Sequence, residues 1–440
     1  MTKPEYEPAI AAARKLIADA VLAHEPDLVE RARDVDAIVL GIVRDVGRGS
    51  TEAILNQTAL DEAARVAREG KLVVEHHQRS PFFTVFGTVE VASPYLRKKK
   101  TGVTSRPTRT LLRLTSRGRS TALERALTDF GAEESFERAA KRLKEHYGVE
   151  MGRTTVLRVV EQRAHEAERY VEERLQEARN AFDAPVSQRP GVDTMLVEAD
   201  GCEIRTGTLV AANDNERTQV RGLAKRRLNQ EWRDVRVGLA RALDEVTPRF
   251  VAGMKPYDDV IGQLFSAAVE RGLSIRTRVV GVADGGNGLR EALDAKFVNL
   301  RFILDRPHLK QHLNETADAM GLDVVARDTW TQAALAECEV GNAATVVENL
   351  HDFAGPGEER VHRLAGYLER FKDAVDYDKA REQGYPIGSG EIESTHRYIP
   401  QKRLKLPGAC WSPSTINPML ALRVLRENGW WEDFWNRDAA

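Results

Sequence analysis

Cysteine is scarce in this sequence. Its 440 residues hold three cysteines, Cys202, Cys338 and Cys410, far apart and without a C-x-x-C pair. That argues against a disulfide framework and against a cysteine-based zinc site. Reduced thiols suit a cytoplasmic location. Long apolar runs are missing as well. No stretch approaches the ~18 consecutive apolar residues of a membrane span. No apolar segment follows Met1-Thr2-Lys3-Pro4-Glu5, so neither a membrane anchor nor a signal peptide is expected. A large excess of one charge is also absent, the net charge being −2. Any hold on a polyanion therefore has to come from local patches.

Such patches exist. Arg97 to Arg119 contains nine basic residues and no acidic one. Arg397, Lys402, Arg403 and Lys405 form a second run free of acid, and Arg217 to Arg236 is mostly basic. Taken singly, each cluster also fits a solvated loop or helix face. Together they point to one polyanion-facing surface.

Apolar residues make up 42% of the chain, enough for a real core, and the length allows about three domains. Residues 1–70 have helical spacing (Ile10, Ala13, Leu16, Ile17, Ala20, Val21), with breaks expected at Glu25-Pro26-Asp27 and Gly47-Arg48-Gly49-Ser50. Residues 71–119 form a small β-hairpin around Phe82–Phe86 and Thr88–Val91, followed by the basic segment. Residues 120–182 return to helix. There Ser135–Leu143 and Gly152–Val160, separated by Gly148, have the form of a helix-turn-helix, or of an ordinary helical hairpin. In the first form Arg153, Thr154, Thr155 and Arg158 face DNA. A linker is expected at 183–190. Strands and helices then alternate over 191–307, a helical stretch covers 308–385, and residues 386–440 complete the chain.

Two apolar strands, Met195–Ala199 and Arg278–Ala283, are expected to end in Asp-Gly, at Asp200-Gly201 and Asp284-Gly285. Glu203–Arg205 is expected as a partner strand and Val235–Leu239 as a third. A carboxylate at the C-terminal end of a strand projects into the crevice where open α/β sheets bind ligands. Gly388-Ser389-Gly390-Glu391-Ile392-Glu393-Ser394 then places a glycine-rich turn before a helix, with Ser389 as a candidate N-cap. Spacing alone does not choose between Glu391 and Glu393.

In this order and strand context the motifs resemble those of bacterial insertion-sequence transposases of the DDE type, in the Mutator-like branch. Val197–Gly201, Val282–Gly285, Asp305-Arg306-Pro307-His308 and Gly388–Ser394 carry the resemblance, together with Gln401–Lys405, Gly408 and Trp411. It covers residues 190–435 well and the preceding helices more loosely. It implies an α/β RNase H-like catalytic domain with a helical insertion, preceded by a mainly α-helical DNA-binding region with a small β-hairpin. It implies Asp200, Asp284 and Glu393 as catalytic residues and ligands of two Mg²⁺ or Mn²⁺ ions, with Asp305 and His308 auxiliary. The activity implied is cleavage at transposon ends and strand transfer into target double-stranded DNA by a homo-dimer or higher oligomer. The alternative is a domesticated or inactive relative that binds DNA without cutting.

Lys98, Lys99, Lys100, Arg106, Arg109, Arg153, Arg158, Arg397, Lys402 and Arg403 are the candidate DNA contacts. The ordinary reading of Arg397 is an ion pair with Glu393. Trp411, Trp430, Trp431 and Trp435 either stack on bases or close a core. The chain departs from many relatives in lacking the cysteines of a zinc ribbon near the hairpin. His76 and His77 cannot make a four-ligand site alone, and no structural zinc is expected. A second departure is Gly286-Asn287-Gly288, where relatives carry a bulky residue.

Overall fold

A computed structural model describes residues 4–24, 27–99, 101–112, 118–182, 191–211, 226–286 and 288–437. The chain divides into two compact units, Met1–Gly131 with Phe136–Val160, and Ala132–Ser135 with Glu161–Ala440. The expected linker at 183–190 lies outside the described residues.

The first unit opens with α1 (Glu7–His24) and α2 (Leu28–Gly70). The expected break at Gly47–Ser50 does not occur, and α2 runs unbroken for 43 residues. A Cβ built on Gly47 lies 2.7 Å from Cδ1 of Phe86. The glycine therefore makes room for a ring rather than ending the helix. One interior glycine costs only about 1 kcal/mol, which packing readily offsets.

After β1 (Val73–His76), strands β2 (Arg79–Thr84) and β3 (Gly87–Ala92) form the expected hairpin, with Phe82 opposite Val89. Gly87, at φ 113°, turns the chain. Phe82, Val89 and Val91 are packed with Ala59 and Leu55 of α2 and with Leu112. Alternation along β3 thus puts one face into a core and leaves the other to solvent. Short strands β4 (Tyr95–Arg97) and β5 (Thr104–Ser105) join β1, and β6 (Gly118–Arg119) joins β2, with α3 (Pro107–Leu111) between β5 and β6. Helices α4 (Thr121–Glu133), α5 (Phe136–Tyr147) and α6 (Arg153–Phe182) follow. Gly148, at φ 69°, ends α5. A Cβ on Gly131 would lie 2.4 Å from Val160, so these helices cross with no room for a side chain there.

The second unit holds a five-stranded sheet of β7 (Thr194–Ala211), β8 (Arg226–Ala242), β9 (Arg249–Gly253), β10 (Arg278–Ala283) and β11 (Leu300–Leu304). The order is β11-β10-β7-β8-β9. β10 is parallel to both β7 and β11, while β8 is antiparallel to β7 and β9. Helix α7 (Tyr257–Glu270) connects β9 to β10, and α8 (Leu289–Lys296) connects β10 to β11. Val197, Val280, Val282, Ile303, Ile261 and Leu264 are buried in its core.

One expectation is corrected. β7 does not end at Asp200-Gly201, and Glu203–Arg205 is no separate partner strand. β8 pairs with β7 from Met195↔Ala242 to Ala211↔Arg226, which holds the Asp-Gly dipeptide extended. Parallel pairing with β10 does stop, at Glu198↔Val282. Opposite Ala199–Gly201, β8 is still paired with β9, up to Arg236↔Gly253, and beyond Gly201 β7 and β8 continue together to Ala211↔Arg226. β8 is longer than the expected Val235–Leu239, and β9 was not foreseen.

Helices α9 (Arg306–Ala319), α10 (Val324–Glu339), α11 (Ala343–His351), α12 (Glu358–Phe371) and α13 (Tyr377–Glu382) fill the expected helical stretch. Then come α14 (Gly390–His396), irregular helical turns to Leu404, α15 (Pro413–Glu427) and α16 (Trp431–Asn436). The whole is a mixed α/β protein with a mainly helical N-terminal region. Among the described residues, no helix is long and apolar enough to cross a membrane.

Candidate active site

The parallel strands set the positions of three carboxylates. Asp200 sits two residues past the last β7–β10 pair, and Asp284 and Asp305 directly follow β10 and β11. All three therefore lie at the C-terminal edge of the parallel strands. Asp200 and Asp284 turn back on their own chain, Oδ1 of Asp200 accepting from the Gly201 N–H at 2.6 Å and Oδ1 of Asp284 from the Gly286 N–H at 2.8 Å. Tyr257, at the start of α7, marks their proximity. Its Oη lies 3.6 Å from the Cβ position of Gly201 and 3.9 Å from that of Gly286. Burial, and then the charges of Asp284 and Asp200, raise the Tyr257 hydroxyl above its usual range. The guanidinium of Arg236 covers its ring, 4.4 Å from the centroid. Asp284 is also fixed through its backbone, its carbonyl accepting from Tyr367 Oη at 2.7 Å.

Helix α14 carries the third acidic position. Residues four apart share a helix face. Ile392 and His396 form the buried face, at 1% and 4% exposure, over β7. There the Ile392 N–H donates to Oε2 of Glu198 at 2.8 Å, and Nε2 of His396 stands 3.2 Å from Oδ2 of Asp200. Glu391 falls on one flank, paired with Arg241 of β8 at 2.9 Å. Ser389 and Glu393, four apart, fall on the other flank, where the Ser389 N–H donates to Oδ2 of Asp305 at 2.7 Å. In the sheet, β8 lies on one side of β7 and β10 and β11 on the other. Glu391 is thus engaged with Arg241 of β8, while Glu393 is exposed. Ser389 occupies the N-cap position, but its side chain does not cap the helix. Its hydroxyl donates to Asp305 instead.

Asp305 is 2% exposed and caps α9, its Oδ1 accepting from the His308 N–H at 2.7 Å. With both oxygens engaged, it faces inward rather than toward a substrate. Nε2 of His308 is 3.1 Å from Nε2 of His312. The His312 ring packs on Tyr367 with centroids 4.8 Å apart. His308 thus stands at the end of a chain of contacts leading to Asp284. Burial, then His308 and Arg360, lower the His312 imidazole.

Three residues of this site gave no motif. Glu198 is 1% exposed, and desolvation pushes it up to about 8, the Ile392 N–H acting against that. Its signal was its place two residues before Asp200, which puts both on one face of β7. Burial lowers the His396 imidazole, yet Asp200 and Cys202 together outweigh this and push it up to about 9. The contact with Asp200 is an ion pair rather than an aligned hydrogen bond, since neither ring nitrogen meets hydrogen-bond geometry. Tyr257 had no sequence signal beyond starting a helix. Cys202 is half-exposed.

Among the described residues, no group of three or more His, Cys, Asp or Glu side chains is assembled as a metal set. The donors nevertheless suit a hard divalent ion in kind, being carboxylate oxygens just past the β7–β10 pairing, at the end of β10 and on the helix docked over β7.

The basic candidates divide. Lys99, Arg106, Arg109, Arg153 and Arg158 are exposed and Lys98 is half-buried, while Lys100 lies outside the described residues. Arg397 is exposed, with no ion pair to Glu393 among the described residues. Lys402 is paired with Glu133. Arg403 is not on the surface at all. It is 3% exposed and lies over the Trp411 ring at 4.6 Å, and burial lowers its guanidinium to about 10. Trp411, Trp430 and Trp435 are buried and close a core rather than offering a stacking surface.

No family model matches the chain, and no curated protein does. A solved structure to which it is similar is the Drosophila P element transposase strand transfer complex, at 10% identity and a TM-score of 0.24, over 72% of this chain and 80% of that one. A similarity at that TM-score decides neither fold nor function.

Proposed function

We propose that the chain is a DDE-type DNA transposase of the bacterial insertion-sequence, Mutator-like kind, with an RNase H-like catalytic core. The observation that carries this reading is the placement of Asp200, just past the point where β7 stops pairing with β10, and of Asp284, at the end of β10. The strand order supports it too: an antiparallel meander β7-β8-β9, then two strands parallel to the first. Asp200, Asp284 and Glu393 would hold two Mg²⁺ or Mn²⁺ ions. Bound there, such ions stabilise the attacking and leaving oxygens of an in-line displacement at phosphorus. The chain's own residues orient the carboxylates: His396 faces Asp200, and Tyr367 anchors Asp284 through its carbonyl. Water attacks phosphorus at a transposon end, the P–O3′ bond breaks and a 5′-phosphate is left; the freed 3′-hydroxyl then attacks a target phosphodiester, whose own 3′-oxygen leaves as a hydroxyl. Lys98, Lys99, Arg106, Arg109, Arg153 and Arg158 supply contacts to double-stranded DNA, and synapsis of two ends requires a homo-dimer or higher oligomer.

Asp284→Asn is expected to abolish cleavage of DNA carrying the gene's flanking sequence while leaving its binding nearly unchanged. A variant that still cuts in Mg²⁺ sinks the metal site. The second reading, a protein that binds DNA without cutting, is favoured by the unassembled metal set. Wild-type protein that shifts this DNA in a gel but never nicks it, in Mg²⁺ or Mn²⁺, would establish that reading.

A further inference from the structure

Two buried carboxylates from different strands grip the first turn of α14. Glu198 on β7 accepts from the Ile392 N–H at 2.8 Å, and Asp305 after β11 accepts from the Ser389 N–H at 2.7 Å and from the Ser389 hydroxyl. They are 1% and 2% exposed. A carboxylate is costly to bury unless its oxygens are satisfied, and the partners here are backbone N–H groups of the segment leading to Glu393. We propose that Glu198 and Asp305 are positioning residues that fix the first turn of α14, the helix that carries Glu393, over the strands that carry Asp200 and Asp284, an inference that rests on the three-carboxylate reading above.

The geometry supports a clamp. Helix α14 has only seven residues, too few to hold its own shape. The gripped N–H groups, three residues apart, lie almost one turn from each other, so the two attachments oppose both sliding and rotation. Glu393 follows the second attachment by one residue. The strand ends that hold the clamp also hold the aspartates: Glu198 precedes Asp200 by two residues, and the Asp305 N–H donates to the carbonyl of Ala283, beside Asp284, at 2.8 Å. The approach to α14 is tied down as well, the Arg306 N–H donating to Ile387 at 2.9 Å. Asp305 thereby joins β11, α9 and α14 through one side chain.

The test is Mn²⁺ binding to the full-length chain, followed by electron paramagnetic resonance of the free ion, with circular dichroism to establish folding. Loss of a group that orients a metal ligand typically weakens metal affinity about 10- to 100-fold. Glu198→Gln, Asp305→Asn and Ser389→Ala are each expected to weaken Mn²⁺ binding by at least about 10-fold, whereas Glu391→Gln, on the other flank, leaves it unchanged. Should Asp305→Asn fail to fold, Ser389→Ala and Glu198→Gln decide. Folded variants with wild-type Mn²⁺ affinity overturn the clamp. If Asp284→Asn and Glu393→Gln also bind Mn²⁺ as the wild type does, the three-carboxylate reading itself has failed. Loss in those two alone leaves that reading standing and removes only the clamp.

Discussion

Four arginines of the first unit and two near the C-terminal end of the second have opposite fates. In the first, Arg106, Arg109, Arg153 and Arg158 are exposed. In the second, Arg403 lies under Trp411, and Arg423, fully buried, is bonded to Glu133, Glu427 and the Tyr398 carbonyl. Lys402 is likewise held by Glu133. The same residue type serves as surface charge in one place and as internal mortar in the other. What separates them is the surroundings. The first group comes from a stretch without acids or from the exposed face of a helix, whereas Glu133, distant in sequence, draws Lys402, Arg423 and Arg426 together. A basic run read from sequence is therefore a surface only where no acid folds onto it.

The sharpest way to break this comparison is Arg423→Ala. Removing it takes the fully buried member from the cluster and leaves Glu133 with Lys402 and Arg426 alone, and breaking a buried ion pair typically costs up to about 3–5 kcal/mol. Chemical denaturation should show a loss of that order, and a change under about 1 kcal/mol would mean that Arg423 is no mortar. Gly131→Ala in the first unit ranks next. Its new methyl meets Val160, and overpacking of this kind costs about 1–3 kcal/mol; an unaltered melting temperature would show that the helices part freely.

Charge reversal at Lys98, Lys99, Arg106 and Arg109 should leave folding untouched but weaken binding to any duplex. The slope of log affinity against log salt should fall by about 0.9 for each phosphate that is no longer neutralised. Unaltered affinity would return these residues to a merely solvated loop. A further expectation concerns pH. Because the folded protein holds Glu198 up at about 8, against about 4.3 when unfolded, its protonated form is favoured by folding. Its contribution is whole below the unfolded value and is lost as pH rises through about 8. Glu198→Gln should flatten that part of the stability profile, and parallel profiles for both proteins would contradict the shift.

Much was legible from pattern alone. β10, β11, the hairpin β2–β3 and the long helical stretch follow from apolar alternation and periodicity, which are local properties. Strand-end chemistry likewise marked Asp284 without help from the fold. The failures are also physical. Gly47–Ser50 looked like a break because a glycine's packing against Phe86 is invisible in a linear chain, and Asp200-Gly201 looked like a strand end because β8 had not yet been laid beside it.

The sequence by itself determined the residue types available for chemistry: three carboxylates in strand-end and helix-start contexts, and basic stretches in a neutral chain. Only the tertiary structure paired Glu391 with Arg241 of β8 and left Glu393 exposed, since two residues on the same short helix differ only in what each flank meets. Only it revealed Glu198, His396 and Tyr257, because their roles depend on burial and on neighbours far along the chain, and local spacing carries no record of either.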